Sequence, residues 1–279
     1  MKGVYNDLSF KISRLVTTTY STSFSKAVGM LEREKQAAIF AIYGFVRFAD
    51  EIVDTFHDHE KEYLLKKFEA DYYDALRSGI SLNPILNAFQ VVVKRYRISD
   101  DEVQAFLRSM KTDLDKQKYD NAEEIGTYIY GSAEVVGLMC LRVFLNGNDE
   151  HFEELKDNAK RLGSAFQKVN FLRDFREDTR ELKRKYFPET IDSELNDEVK
   201  SRIIADIEYD FREAYPGILK LPGRSRLAVL IAYRYYLQLL KRIDRSDTGQ
   251  LLTSRIRVPD FNKFIIMAKS VIEYKLKLI

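Results

Sequence analysis

Residues 167–188, QKVNFLRDFREDTRELKRKYFP, place polar groups where a buried helix would carry apolar ones. Gln167, Asn170, Asp174 and Asp178 follow one another at spacings of three, four and four, so on an α-helix they form one stripe. Phe166, Val169, Phe171, Leu172 and Phe175 flank that stripe, and apolar flanks of this kind pack towards a core. A second stretch, FAIYGFVRFADEIVD at 40–54, has the same grammar: Tyr43, Arg47, Asp50 and Asp54 sit at spacings of four, three and four among Ile39, Ile42, Val46 and Val53. Two such helices facing each other would crowd four carboxylates together, raising their pKa values and costing stability unless cations neutralise them. Hard divalent cations, with oxygen ligands and a phosphate to complete the shell, meet that need. The plain alternative is a pair of solvated helix faces on which Arg47, Arg173, Arg176 and Arg180 form intrahelical ion pairs.

Glycine and proline are sparse, at 12 and 5 in 279 residues, and long helical periodicities dominate over two-residue alternation. The pattern predicts an all-α protein with helices near 6–16, 21–28, 32–54, 60–78, 82–95, 99–113, 122–145, 149–182, 196–212, 223–245 and 260–276. Breaks are expected at 81–84, 146–149, 188, 216–217, 222–223 and 247–249, where turn residues cluster. None has the length of a linker, so the expectation is one domain over 1–279. Residues 191–215 read as a charged surface helix, and Gly131 and Gly137 inside 122–145 suggest a local break or a close approach. Phe and Tyr bring the aromatic content to 13% without any Trp, an excess that needs a core or a cavity to hold it.

The formal net charge of +2 leaves no nucleic-acid footprint. Cys140 is the lone cysteine; it cannot form an internal disulfide and fits a buried thiol in a reducing compartment. The first residues lack the apolar core of a signal peptide, and no window approaches the eighteen or so apolar residues of a membrane span. A cytoplasmic protein without an obligate protein partner is expected, and a greasy substrate would allow peripheral contact with the inner membrane face.

Four segments resemble the phytoene/squalene synthase family, in the family's order, between about 20 and 263. They are YSTSF at 20–24 with DEIVD at 50–54, YIYGSAEVVGLM at 128–139, NFLRDFREDTRELKRKYFP at 170–188, and SRIRVPDFNK at 254–263. The resemblance implies an isoprenoid-synthase-type helical bundle around a central cavity. It further implies that Asp50, Asp54, Asn170, Asp174 and Asp178 hold Mg²⁺, with Mn²⁺ as a substitute, and that Asp50, Asp54, Asp174, Asp178 and Tyr128 carry catalysis. Tyr20, Ser21, Thr22, Ser23, Phe24, Tyr43, Arg47, Asp113, Gln167, Asn170, Arg173 and Tyr236 become candidate substrate contacts. For the 20–24 segment plain N-capping is the alternative, and for Asp113 a solvated acid near a helix end. Tyr186 and Pro188 resemble a lid-like loop, whereas Ser132 and Glu134 depart from the small or apolar residues expected beside Tyr128. Arg255, Arg257 and Lys263 suit either a diphosphate or a simple basic surface.

The reaction so implied joins two prenyl diphosphates head to head through a cyclopropylcarbinyl diphosphate, with release of diphosphate. Ionisation of an allylic C–O bond gives a carbocation, which needs a dry aromatic pocket. The expectation is two geranylgeranyl diphosphates giving phytoene by proton loss, resting on a short chain without a C-terminal anchor. Dehydrosqualene or squalene from farnesyl diphosphate, the latter with NADPH, is the alternative. A non-catalytic helical assembly factor and a scaffold whose acids face solvent stand as readings of another class.

Overall fold

The helical periodicity is realised along nearly all of the chain in the computed structural model, which describes residues 2–191 and 195–278. In order come α1 (Lys2–Tyr20), α2 (Thr22–Val28), α3 (Arg33–Asp54), α4 (Lys61–Ser78), α5 (Pro84–Tyr96), α6 (Asp100–Asp115) and α7 (Ala122–Ile129). A π-turn at Tyr130–Glu134 leads into α8 (Val135–Phe144), followed by α9 (Asp149–Arg173), α10 (Phe175–Arg180) and a 3₁₀ turn at Pro188–Thr190. The chain closes with α11 (Asp197–Lys220), α12 (Gly223–Arg245), α13 (Thr248–Thr253) and α14 (Asp260–Lys275). Among the described residues there is no strand, only an isolated parallel bridge between Lys118 and Lys185. The all-α expectation therefore holds. Among the same residues, no helix is long and apolar enough to cross a membrane.

Local chemistry explains most helix starts. Asn83 caps α5 by accepting from the amides of Ile85 and Leu86, with Pro84 in the first turn, where its missing N–H costs nothing. Ser99 and Glu102 close a capping box on α6. Asn121, Asn148, Asn196 and Asp247 cap α7, α9, α11 and α13 in the same way.

Two apolar centres organise the bundle. Helices α3, α4, α5, α6 and α8 build the first around Phe45, which stacks on Phe89 at 4.0 Å and also meets Phe68, Tyr72 and Phe106. Helices α9, α11 and α12 build the second around Val169, Leu172, Ile207, Phe211, Leu230 and Leu240. Phe24 and Val46 lie half-buried against the first centre, and Phe166 and Tyr236 against the second. Cys140 is free and half-buried beside the first, where burial pushes its thiol up to about 12.

Several boundaries differ from the sequence reading. The span 149–182 is two helices, because the backbone leaves helical geometry at Asp174 (φ −99°, ψ 11°). Helix α11 runs through Pro216 and Gly217, where a break was expected. Asn158 of α9 donates from Nδ2 to the Glu213 carbonyl at 2.7 Å in that turn, and a Cβ on Gly217 would fall 2.3 Å from the Asn158 Cβ. Close packing against α9 thus carries the helix past its proline. Nor is 191–215 a surface helix: residues 192–194 lie outside the described residues, and α11 buries Val199, Ile203, Ile207 and Phe211. The break expected at 247–249 falls at 246–247, and a short helix not anticipated there, α13, starts from its Asp247 cap. The glycine signal in 122–145 corresponds to the π-turn, where a Cβ on Gly131 would lie 2.7 Å from the Ala105 carbonyl oxygen.

A buried charge fastens α11 to α9. Asp210 is fully enclosed and accepts from Arg161 Nη1 at 2.8 Å, Ser164 Oγ at 2.8 Å and Lys168 Nζ at 2.7 Å. These donors occupy the side of α9 turned to α11, which leaves the Asn170 side free to face α12. Removing the carboxylate would leave Lys168 with Asp206 alone and the buried Ser164 hydroxyl without its acceptor. Asp210→Ala is expected to cost about 1–3 kcal/mol, the range for leaving a buried donor unsatisfied, read as a lower midpoint in chemical denaturation.

Candidate functional site

The segment after α10 brings the site together. Lys183 adopts a left-handed conformation (φ 57°), and the chain turns back so that the Arg184 amide donates to the Asp178 carbonyl at 2.7 Å and the Lys185 amide to the Gln117 carbonyl at 2.8 Å. This return carries the buried Arg184 guanidinium between α3 and α6. Its Nη1 donates to Asp54 Oδ1 at 2.7 Å and its Nη2 to the Asp113 carbonyl at 2.9 Å. Asp178 lies within reach of the charges of Arg184 and Asp54. The aspartates of α3 and of α9–α10 therefore face one another.

Each ridge holds one aspartate paired with arginine and one that is not. On α3, Asp54 pairs with Arg184, while Arg47 turns to Glu51 and leaves the Asp50 carboxylate without a hydrogen-bond or ion-pair partner among the described residues. At the bend, Asp174 is held by Arg173 (Nε–Oδ1 3.0 Å) and by Arg255 (Nε–Oδ1 2.8 Å), while one turn on the Asp178 carboxylate has no such partner among the described residues. Burial and the Asp54 charge push the Asp50 carboxyl up to about 8, and burial and the Asp174 charge do the same to Asp178, also to about 8. Asp113 is lifted to about 7 by burial, opposed by Arg184 and by the hydroxyl of Tyr128. Among the described residues, no three His, Cys, Asp or Glu side chains are grouped closely enough to share one ion.

Behind the acids stands an aromatic wall. Tyr128 donates its hydroxyl to Asp113 Oδ2 at 2.6 Å, and Tyr119 donates to Oδ1 at 3.4 Å. Tyr186 stacks on Tyr128 at 5.4 Å and on Phe171 at 4.0 Å. Tyr128 is thus buried and engaged, with its hydroxyl pK raised well above the usual value by burial and the Asp113 charge.

A second group of residues gathers where α2, α3, α9 and α12 meet. Phe24 stacks on Tyr43 at 5.2 Å, Arg47 lies 4.3 Å over the Tyr20 ring, and Phe166 stacks on Tyr236 at 4.0 Å. The Tyr236 hydroxyl donates to Asn170 Oδ1 at 3.3 Å. Burial pushes the Tyr43 hydroxyl up to about 12, against the pull of Arg47 and with smaller upward contributions from Asp50, Tyr236 and Tyr20, which ties this group to the acids. Ser21 caps α2 by accepting from the Phe24 amide at 3.4 Å, Thr22 is exposed, and Ser23 and Gln167 are half-buried with no hydrogen bond from their side chains among the described residues.

Arg184, Tyr119 and Glu51 were not singled out by the sequence reading. Arg184 lies in the RKYFP segment, but it is off any helical stripe, so spacing alone carries no sign of it. Glu51 adjoins Asp50, and only its i,i+4 relation to Arg47 marks it as the competing partner.

A family description, "Squalene/phytoene synthase", matches residues 17–262. The chain belongs to the squalene/phytoene synthase family. It is 28% identical over 273 residues to phytoene synthase 3, chloroplastic, of Zea mays, covering 91% of this chain and 63% of the maize protein. A phytoene synthase of Arthrospira platensis is 26% identical over 292 residues, covering 93% and 91%. The chain thus spans about two thirds or less of several plant relatives, and most of the cyanobacterial one. A solved dehydrosqualene synthase shares the fold, with a TM-score of 0.82, 21% identity, and coverage of 97% of this chain and 98% of that one.

Carboxyls held near 7–8 have a consequence for stability. The folded chain keeps protons that the unfolded chain, whose acids titrate near 4, has already released. Their contribution therefore makes stability fall as pH rises from about 4 towards 8. In metal-free buffer the melting midpoint is expected to drop by a few degrees between pH 5.5 and pH 8. Arg184→Gln, which removes the cation among these acids, should steepen that fall, and thermal melts of both proteins across the range check it.

Proposed function

We propose that the chain condenses two prenyl diphosphates head to head, with geranylgeranyl diphosphate as the donor and phytoene as the product. The observation that carries this reading is the convergence of the α3 and α9–α10 aspartates around Arg184 in a chain of this family. Relatives named as phytoene synthases favour the twenty-carbon donor.

The oxygen-rich donor set, with two carboxyls that burial and neighbouring acids hold at about 8, is short of positive charge and fits hard divalent cations. Asp50 and Asp54 from α3, and Asn170, Asp174 and Asp178 from α9–α10, would hold Mg²⁺ or Mn²⁺, which when bound would neutralise the diphosphate and ease its departure. Few protein carboxylates per ion suffice, because phosphate oxygens and water complete an octahedron.

The protein's own groups supply the rest. Arg47, Arg173 and Arg255, paired in this structure with Glu51 and Asp174, would offer guanidinium forks to a departing diphosphate once cations take over those acids. Phe24, Tyr43, Phe166 and Tyr236 present stacked, half-buried π-faces, which tolerate a carbocation and exclude the water that would quench it. Asp113, held by Tyr119, Tyr128 and the Arg184 contact to its carbonyl, fixes the wall behind the acids. Proton loss ends the reaction without a reductant; only a squalene product would call for NADPH.

Incubation with farnesyl or geranylgeranyl diphosphate and Mg²⁺, with and without NADPH, followed by extraction and mass analysis, tests the assignment. Phytoene formed from the C20 donor, indifferent to NADPH, is expected. A C30 hydrocarbon would move the assignment to the dehydrosqualene or squalene reaction, and consumption of neither donor would sink the catalytic reading.

Asp50→Ala and Asp174→Ala should each lower turnover by about 10²–10³-fold, as for loss of one preorganised electrostatic group. Helical circular dichroism should be largely unchanged, and wild-type turnover in either variant would count against these roles.

A further inference from the structure

Beside Arg255, and outside the aspartate ridges, lies a cavity of about 560 Å³. Its wall includes Gln238, Arg242, Arg245, Arg255, Arg257 and Asn262; among the described residues no acid lines it, and Ile256 is its one apolar residue. Arg242 and Arg245 stand one turn apart at the end of α12, and Arg257 comes from the extended stretch between α13 and α14. Arg255 is committed to Asp174 at 2.8 Å. Among the described residues, the side chains of Arg242, Arg245 and Arg257 have no hydrogen-bond or ion-pair partner, and Arg242 Nε is buried without one.

Basic residues at a helix C-terminus ordinarily serve the helix dipole or its last carbonyls. Here those carbonyls are already engaged. The Ser246 amide takes the carbonyls of Arg242 and Ile243, and Lys200 Nζ donates to those of Asp244 and Ser246 at 3.0 and 2.5 Å. Three guanidiniums lining one concavity repel each other and focus positive potential into it. A buried donor without a partner is a group awaiting an acceptor. Planar guanidinium forks suit phosphate oxygens taken two at a time, and forks drawn from two chain segments call for more than one phosphoryl group. A wall with a single apolar side chain gives a hydrocarbon tail nothing to bury against.

We infer that this cavity is an anion subsite for inorganic diphosphate, formed by Arg242, Arg245 and Arg257 and independent of divalent metal. It adjoins the Arg255–Asp174 pair, so a diphosphate leaving the aspartate ridges would meet it next. Binding at the subsite does not rest on the condensation reading, since it is measured without metal and without turnover.

Isothermal titration of the full chain with inorganic diphosphate in EDTA is the test. Wild type is expected to bind, Asp50→Asn to bind equally well, and the double variant Arg245→Gln/Arg257→Gln to bind at least about tenfold more weakly, a loss of about 1.4 kcal/mol. Both substituted arginines are exposed, so the double variant should keep its helical spectrum and melting midpoint. Absence of binding in EDTA, or undiminished affinity in a folded double variant, overturns the subsite. Equal affinity for inorganic phosphate overturns its assignment to a diphosphate. Tighter binding of geranyl diphosphate overturns the assignment to the free anion in favour of a substrate head group.

Discussion

Crowded aspartates repel one another, and this bundle brings together the buried Asp113 and the half-buried Asp50, Asp54, Asp174 and Asp178 with guanidinium groups set among them. Arg184 has the central position. It ties α3 through Asp54 and α6 through the Asp113 carbonyl, while its own amide is bonded to the Asp178 carbonyl beyond α10. Three separate parts of the chain are therefore registered on one residue. Their mutual placement is an electrostatic requirement as much as a packing one.

The rest of the fold packs the outer side of those elements closely and leaves their inner side half-buried. Helix α9 is held to α11 by the buried Asp210 network and by the Asn158–Glu213 contact. Its opposite side carries Phe166 and Asn170, half-buried and in contact with Tyr236. Helix α3 shows the same division. Phe45 is sealed into the aromatic core, while Tyr43, Arg47 and Asp50 stay half-buried on the other side. A side chain set in a packed core positions its helix, and polar neighbours one turn away inherit that precision.

Helical periodicity explains what could be read from the residues alone. The stripes Tyr43–Arg47–Asp50–Asp54 and Gln167–Asn170–Asp174–Asp178 are local patterns, and their embedding in apolar sequence announces that they turn inward. Arg184 could not be read in this way, because a left-handed Lys183 and a bridge to residues 117–118 decide where it goes. The pairing of Arg47 with Glu51 rather than Asp50 is likewise a choice between adjacent acids that spacing leaves open. Pro216 misled in the opposite direction: a local breaker was overridden by tertiary packing on α9. The charged composition of α11 hid an apolar stripe, since its many acids and bases occupy the other faces.

The division of the aspartates into paired and unpaired members bears on how such a site tolerates its own charge. If every carboxylate had an arginine, the site would be neutral and stable, and a polyanion would gain little by approaching it. If none had, repulsion would open the bundle. With Asp54 and Asp174 paired to arginine, and Asp50 and Asp178 unpaired with carboxyls raised to about 8, each ridge keeps one group that responds to added positive charge. The arginines hold the ridges together, and the unpaired acids are the groups whose protonation an added positive charge would shift most. Burial strengthens both effects, because the low local dielectric that makes Arg184 effective also makes Asp50 costly to ionise.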